Sequence, residues 1–363
     1  MFDIIKILMN ILYTRGDFMS EQNIRPENLN WDNLGFSYRK TDYRYISHFK
    51  DGTWDEGQLV EDNILEISEA ATALHYGQAA FEGLKAFRTK DGDINIFRPI
   101  ENAKRLRKSA ERLLMAPFPE KRFIQAVQEV VKANEDWIPP YGHDASLYIR
   151  PLLIGSGNKI GVDPADEYIF TIFVLPVGSY FGGSLKPSHF VISDFDRAAP
   201  KGTGAAKAAG NYGSSLMPAS KAKDAGYSDA IYLDPSKHEK IEEIGSSNFF
   251  AITKDGTFVT PDSPSILPGI TRHSLMQLAE EELGLKVEHR EVYVNEFENF
   301  VEAGSCGTAA VITPIASITY DDKKYEFYSD TEAGPITQKL YDLLIGIQLG
   351  EIDAPAEDWI VKA

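Results

Sequence analysis

Two stretches of the chain carry apolar residues at helical spacing. In residues 101–115, Ala103, Leu106, Ala110, Leu113 and Leu114 fall on one face. Phe123, Ile124, Val127, Val130 and Val131 form a second stripe. Both predict amphipathic helices whose stripes are core packing. Strands are predicted at Ser146–Ile154 and Tyr168–Leu175, the second so continuously apolar that it should be buried on both faces. Asp51-Gly52, Asp91-Gly92 and Asp255-Gly256 each lie between strand-like segments, the signature of hairpin turns. Further strands are predicted at Phe190–Ser193 and Ala230–Leu233. Helices are predicted from the segment after residue 207 to near Gly226, over Thr271–Leu283 with a cap at Gly284, and over Pro335–Leu349. Gly307–Pro314 reads as a loop entering a strand. The mixture of helices, strands and hairpins makes the fold class α/β (mixed α+β). A turn-rich run from Gly178 to Pro187 marks a domain boundary.

With 363 residues the chain is long enough for two ordinary domains. The 54 acids outnumber the 37 bases, for a net charge of −17, which argues against a nucleic-acid partner. Cys306 is the single cysteine, so an intrachain disulfide is impossible and a reducing cytoplasm is the expected setting. Met1–Tyr13 is apolar but carries Asp3 and Lys6; it has no basic leader or cleavage pattern and is too short to span a bilayer. Met19 reads as a second possible start. Met1–Phe18 is expected to be an upstream extension or disordered tail, with a weak interfacial anchor as the alternative, and no membrane partner is expected. The expected organisation is an N-terminal extension over 1–30, an α/β domain over 31–180, a connecting loop over 181–189 and a second α/β domain over 190–363.

Candidate chemistry centres on Lys207, in the run Gly202-Thr-Gly-Ala-Ala-Lys207-Ala-Ala-Gly-Asn-Tyr212. Glycines and alanines permit close backbone approach and surround an amine with apolar atoms, which disfavours its charged form. An amine so disposed can attack a carbonyl and form a Schiff base. The alternative is a solvated lysine in a Gly/Ala loop. The run lacks Gly-Lys-Ser/Thr and the third glycine of a dinucleotide fingerprint, so a nucleotide-binding reading fails on spacing. Leu267-Pro-Gly-Ile-Thr271 is a tight turn into a helix whose free N–H groups could bind a phosphate, or simply an ordinary helix start. Ile241-Glu-Glu-Ile-Gly-Ser-Ser-Asn248 places acids beside a glycine and hydroxyls, or is simply a polar strand end. A lysine, an anion cradle and a carboxylate are what pyridoxal phosphate requires.

In combination these segments resemble the branched-chain amino-acid aminotransferases, fold-type IV pyridoxal phosphate enzymes. The resemblance runs from Trp31-Asp-Asn-Leu-Gly-Phe36 to the last residues. It is carried by His75-Tyr-Gly-Gln-Ala-Ala-Phe-Glu-Gly-Leu-Lys85, Phe97-Arg-Pro99, Leu147-Tyr-Ile-Arg-Pro151, Pro176-Val-Gly-Ser-Tyr180, the Lys207–Tyr212 run, Glu243-Ile-Gly-Ser-Ser-Asn248, Leu267–Thr271 and Gly307-Thr-Ala309. It implies two α/β domains with the cofactor in the cleft between them, and a homodimer. Lys207 would hold the cofactor as a Schiff base and serve as general base, Tyr212 would bond its phenolic oxygen, and Glu243 would pair with its ring nitrogen. Arg98, the amides of Ile270 and Thr271, and Thr308 would hold the phosphate, with Arg197 nearby. Phe36, Tyr76, Phe81 and Tyr180 would line an apolar substrate pocket, Thr308 and Ala309 would offer amides to the substrate carboxylate, and Arg150 and Tyr148 would sit on the rim. The implied reaction passes the amino group of L-leucine, L-isoleucine or L-valine to 2-oxoglutarate, giving glutamate.

Some members of the family carry a Cys-x-x-Cys pair where this chain has Ala310 and Thr313, so a thiol switch there is excluded. Cys306 is expected to be a small buried residue. Two relatives compete: a D-amino-acid aminotransferase, and an aminodeoxychorismate lyase that eliminates pyruvate. Both are typically shorter and lack the segment Trp31–His75 in this form.

Overall fold

A computed structural model describes residues 25–178 and 185–363. Its first strands are β1 (Arg44–Lys50), β2 (Thr53–Trp54), β3 (Gln58–Val60), β4 (Ala79–Phe81), β5 (Leu84–Arg88), β6 (Ile94–Phe97), β7 (Ala145–Gly155) and β8 (Tyr168–Gly178), with helices α1 (Thr72–Tyr76), α2 (Pro99–Arg112) and α3 (Glu120–Ala133) between them. The second half carries β9 (Ser188–Ile192), β10 (Asp229–Leu233), β11 (Ile241–Ile244), β12 (Ser247–Thr253), β13 (Phe258–Pro261), β14 (Val287–Arg290), β15 (Phe300–Gly307), β16 (Val311–Tyr320), β17 (Lys323–Glu326) and β18 (Ile360–Lys362). Its helices are α4 (Ala209–Ser214), α5 (Leu216–Asp224), α6 (Ile270–Glu281) and α7 (Pro335–Leu349). Among the described residues the strands form two nine-stranded sheets.

The first sheet has the order β18-β6-β5-β7-β8-β1-β2, with β3 on β1 and β4 on β7. Its spine is the long antiparallel pair β7–β8, in register from Ala145 opposite Gly178 to Gly155 opposite Tyr168. β8 is buried along nearly all its length, as its unbroken apolar run requires. The apolar stripes of α2 and α3 cover one face, where Leu106, Phe123, Val127 and Val131 meet Leu84, Ile96, Leu147 and Phe170. The Asp51-Gly52, Asp91-Gly92 and Asp255-Gly256 turns each join antiparallel partners, and all three glycines have positive φ.

The second sheet runs β11-β10-β9-β16-β15-β12-β13-β14, with β17 on β16 and an additional β11–β12 pairing. It mixes parallel and antiparallel neighbours. Side-chain alternation splits it between two cores. Phe250 and Phe258 pack with Leu275 of α6 and Leu340 and Leu344 of α7, whereas Phe249 and Val259 face the opposite core. The core around α7 also takes Phe87 of β5, Phe97 of β6 and Trp359, so α7 packs against both sheets.

Two expectations change. The chain does not remain in the second half to its end: β18 pairs with β6 of the first sheet. The helix after residue 207 is two short helices that meet at Ser215. The expected loop entering a strand over Gly307–Pro314 is present as the 308–310 turn, which joins β15, ending at Gly307, to its antiparallel partner β16, starting at Val311. The boundary run lies partly outside the described residues, as do residues 1–24 of the extension expected over 1–30, whose end is ordered, with a single helical turn at Pro26–Asn28 and Leu29 packed on the first core.

Candidate active site

Lys207 lies at the end of an irregular run, just before α4. Its backbone is fixed from two sides: its carbonyl accepts from Phe81 N at 3.1 Å, and its N–H donates to Ser109 Oγ of α2 at 2.9 Å. The glycine expectation is met at Gly204, where an added Cβ would lie 2.0 Å from Ser265 O, so the loop can approach that carbonyl only without a side chain. Asn211 staples the run, its amide donating to Thr203 O at 2.8 Å and Ala206 O at 2.9 Å. The Lys207 Nζ donates to Tyr212 Oη at 2.8 Å and lies 4.8 Å from the centre of the Phe81 ring. Phe81 and Tyr212 in turn pack edge to face at 4.7 Å.

These groups face a cavity of about 640 Å³ between the two halves. The volume falls within the roughly 300–1,000 Å³ usual for a small cofactor or substrate site. Phe36, Phe81 and Arg150 line it from the first half, and Lys207, Tyr212, Glu243, Ile270, Thr271, Thr308 and Ala309 from the second. With Tyr148, expected on the rim, eleven of the expected site residues therefore share one wall system.

Glu243 ends its side chain in a wholly buried strand. Its Oε2 pairs with Arg197 Nη2 at 2.8 Å, and its Oε1 accepts from Leu267 N and from Asn248 Nδ2. Burial pushes the carboxyl above the usual range, with Arg197, the Leu267 N–H, Arg272 and Lys207 acting in the opposite direction. A basic carboxylate of this kind is a strong acceptor for a ring N–H. The same contacts hold the turn at 267–271, since Asn248 Nδ2 also donates to Leu267 O at 3.1 Å. That turn leads into the start of α6, where the backbone N–H groups lack helical partners.

The 308–310 turn is held from the first sheet: Lys85 Nζ donates to Ala309 O at 2.9 Å. Burial lowers the Lys85 amine to about 8, against the pull of Asp144. The turn ends at Val311, a β-branched residue at φ +62°. Such a conformation costs of order 1–3 kcal/mol and is characteristic of functional sites. Cys306 is buried at the base of the cavity, and its thiol is pushed up to about 12 by burial, so it is no nucleophile.

Three expected residues among those described do not line this cavity. Arg98 lies elsewhere: its guanidinium covers the Trp359 ring at 4.4 Å and donates to Ser274 Oγ at 2.8 Å. Arg197 stands behind Glu243 and touches the carboxylate, not the cavity. Tyr76 is exposed and donates to Ile160 O. Tyr180 lies outside the described residues.

The arginine on the wall is instead Arg105 of α2. Its Nε and Nη2 form a two-pronged pair with Glu82 at 2.8 and 2.7 Å, and Nη1 donates to Pro268 O of the 267–271 turn at 3.1 Å. The signal was present in the sequence. Asn102, Arg105 and Ser109 recur at helical spacing on the same buried face as the apolar stripe, where polar groups need a partner. Tyr148, Leu152 and Phe173 complete the apolar wall. Arg150 donates to Tyr148 Oη at 3.0 Å, and its buried Nε has no partner among the described residues. An amine beside a phenol, a buried acceptor carboxylate and an anion cradle under Arg105 together match the donor set that pyridoxal phosphate requires.

Comparison with known proteins agrees. The family model of amino-transferase class IV matches residues 79–318. The chain is 57% identical to a branched-chain-amino-acid aminotransferase of Haemophilus influenzae, over 93% of this chain and 99% of that protein. It is 55% identical to one from Helicobacter pylori, over 93% and 98%. The crystal structure of a Thermobaculum terrenum branched-chain amino acid aminotransferase in its PLP form superposes with a TM-score of 0.74 at 29% identity, covering 89% of this chain and 98% of that one. The chain belongs to the class IV aminotransferases and, within them, to the branched-chain amino-acid aminotransferases. It is a pyridoxal phosphate-dependent transaminase of the fold-type IV architecture.

Proposed function

We propose that this chain passes the amino group between L-leucine, L-isoleucine or L-valine and 2-oxoglutarate, with Lys207 as the attachment point of the cofactor and the proton carrier of the reaction. The observation that carries this reading is the Lys207 amine, 2.8 Å from the Tyr212 hydroxyl on the wall of a cavity that also holds Glu243. When bound, pyridoxal phosphate supplies an aldehyde that carries the amino group and a ring that takes up an electron pair from the α-carbon.

The residues supply the rest. Glu243, braced by Arg197, holds the proton on the ring nitrogen. Tyr212 holds the ring's phenolic oxygen. Arg105, in place of Arg98, holds the phosphate together with the amides of Ile270 and Thr271 and with Thr308. Once free, the Lys207 Nζ takes the substrate's α-proton and gives it up again, so one side chain serves as anchor and as general base. The amides of the 308–309 turn, fixed by Lys85, receive the α-carboxylate. Phe36, Phe81, Tyr148 and Phe173 form the apolar wall for a branched side chain. Such a wall separates substrates by only about 1–3 kcal/mol per methylene, so overlap among the three amino acids is expected. The unpartnered Arg150 Nε supports a second use of the same pocket, receiving the side-chain carboxylate of the glutamate pair.

The reading extends to a cytoplasmic homodimer. Cys306, the chain's single cysteine, is buried and free, and no helix among the described residues is long and apolar enough to cross a membrane. Leu74, Tyr76, Ile160 and Val162 are large apolar or aromatic side chains left exposed on adjoining segments, which supports a partner subunit there.

The test is the visible spectrum of the purified, cofactor-loaded protein on addition of L-leucine without any 2-oxo acid. Bleaching of the yellow band to the pyridoxamine form, restored by 2-oxoglutarate, is expected. Bleaching by D-leucine but not L-leucine would move the assignment to a D-amino-acid aminotransferase.

A further inference from the structure

We propose that Glu82 is a positioning residue for the phosphate end of the site, locking the Arg105 guanidinium so that its uncommitted N–H groups meet the anion. The proposal rests on the reading of Arg105 as a phosphate-holding residue. It goes beyond that reading by assigning the orientation of the guanidinium to a residue that never touches the ligand.

Glu82 follows the last residue of β4, and its side chain is 0% exposed. Its carboxylate accepts from Arg105 Nε and Nη2, from Asn102 Nδ2 at 2.7 Å and from its neighbour Gly83 N at 3.3 Å. It does not line the cavity, whereas Arg105 does. A guanidinium has five N–H donors in a fixed plane. Three are committed here, two to Glu82 and one to Pro268 O, which leaves one on each Nη. The two-pronged pair fixes that plane before any ligand arrives, so an anion need not order the side chain on binding. The Pro268 contact ties the same guanidinium to the 267–271 turn, whose amides are the other half of the cradle.

Charge and geometry predict opposite signs for the loss of this carboxylate. Glu82 is an anion on the far side of Arg105, so by Coulomb's law alone its neutralisation should strengthen the binding of a phosphate. If its role is orientation, neutralisation frees the guanidinium to turn and weakens phosphate binding. Pyridoxal, which has the same ring and aldehyde but no phosphate, should be indifferent in either case.

The experiment titrates the full-length chain, freed of cofactor, with pyridoxal phosphate and separately with pyridoxal, and reads the ratio of the two affinities by absorption and fluorescence quenching. Wild type, Glu82→Gln, Asn102→Ala and Arg105→Met are compared, with thermal melts to establish folding. In Glu82→Gln the preference for pyridoxal phosphate should fall about tenfold while pyridoxal binding holds within about twofold, the scale of one lost charge-assisted contact. Asn102→Ala, which removes one donor to Glu82 and leaves the ion pair, should shift the ratio in the same direction by about threefold. This variant decides the matter if Glu82→Gln does not fold. A ratio that is unchanged or increased in both variants, while Arg105→Met loses it, overturns the positioning role and leaves Arg105 as the phosphate residue. Equal weakening of both ligands also overturns it, since that marks general collapse. If Arg105→Met keeps the wild-type ratio, the reading of Arg105 itself fails.

Discussion

Lys85 has the depressed amine, lowered to about 8 by burial, and a search by basicity alone would select it as the reactive lysine. Its Nζ is instead spent on Ala309 O, and Lys85 itself does not line the large cavity. The role proposed for Lys207 rests on position, beside Tyr212 on the wall of the cavity that Glu243 also lines. The sequence drew attention to this residue through its small neighbours, and at Gly204 the structure gives one of them a reason, since a carbonyl fills the space of a side chain. Arg98 was singled out by its position before Pro99 alone, and it does not line the cavity. Arg105 stayed hidden because it lies on a helix face read as packing. The second substrate provides a test at this scale. Arg150→Met should raise KM for 2-oxoglutarate about tenfold, as expected for a charge-assisted contact of about 1.5–3 kcal/mol. KM for the 2-oxo acid of leucine should change less than about twofold, and steady-state kinetics with both acceptors would show it. Equal changes would remove Arg150 from glutamate recognition.

At the scale of elements, the site depends on short irregular pieces held by longer regular ones. Helix α2 alone touches Lys207 through Ser109, Glu82 through Asn102 and the 267–271 turn through Arg105. The helices and hairpins with strong periodicity or Asp-Gly turns were legible, and α7 was predicted with the bounds it has. Strand β15 was not, because Glu302 and Gly304 interrupt its apolar pattern. Both have tertiary reasons. An added Cβ at Gly304 would meet the Phe250 ring at 2.3 Å, and Glu302 caps α7 from a distance. Its carboxylate accepts from Ile336 N at 3.0 Å, Thr337 N at 2.8 Å and Thr337 Oγ1 at 2.7 Å. Glu302→Ala should therefore destabilise the protein by about 2 kcal/mol, the upper end for a lost helix cap. Denaturant unfolding would measure this, with turnover at 25 °C largely retained because the cap lies outside the cavity. A loss below about 0.5 kcal/mol would show that solvent replaces the cap readily.

At the scale of the whole molecule, the cleft exists because two sheets share the helix α7 and the chain returns to the first sheet at β18. No local pattern announced that return: a three-residue strand at a chain end has too few positions to show a period. The side chains of Ile160 and Val162 are 67% and 84% accessible, the kind of apolar exposure that marks an interaction surface. Light scattering of the purified protein should give about twice the chain mass of 40.5 kDa at micromolar concentration. The double variant Ile160→Asp/Val162→Asp should shift it toward the monomer. A wild-type monomer would contradict the homodimer.

The central claim is that the cofactor is carried on Lys207. Borohydride reduction of the loaded protein fixes the pyridoxyl group to its lysine, and mass mapping of the peptides then identifies that residue. The label is predicted on the peptide containing Lys207 and should be absent from Lys85, and a Lys207→Ala variant should take up no label. A pyridoxyl group found on Lys85, or retained in Lys207→Ala, would contradict the account.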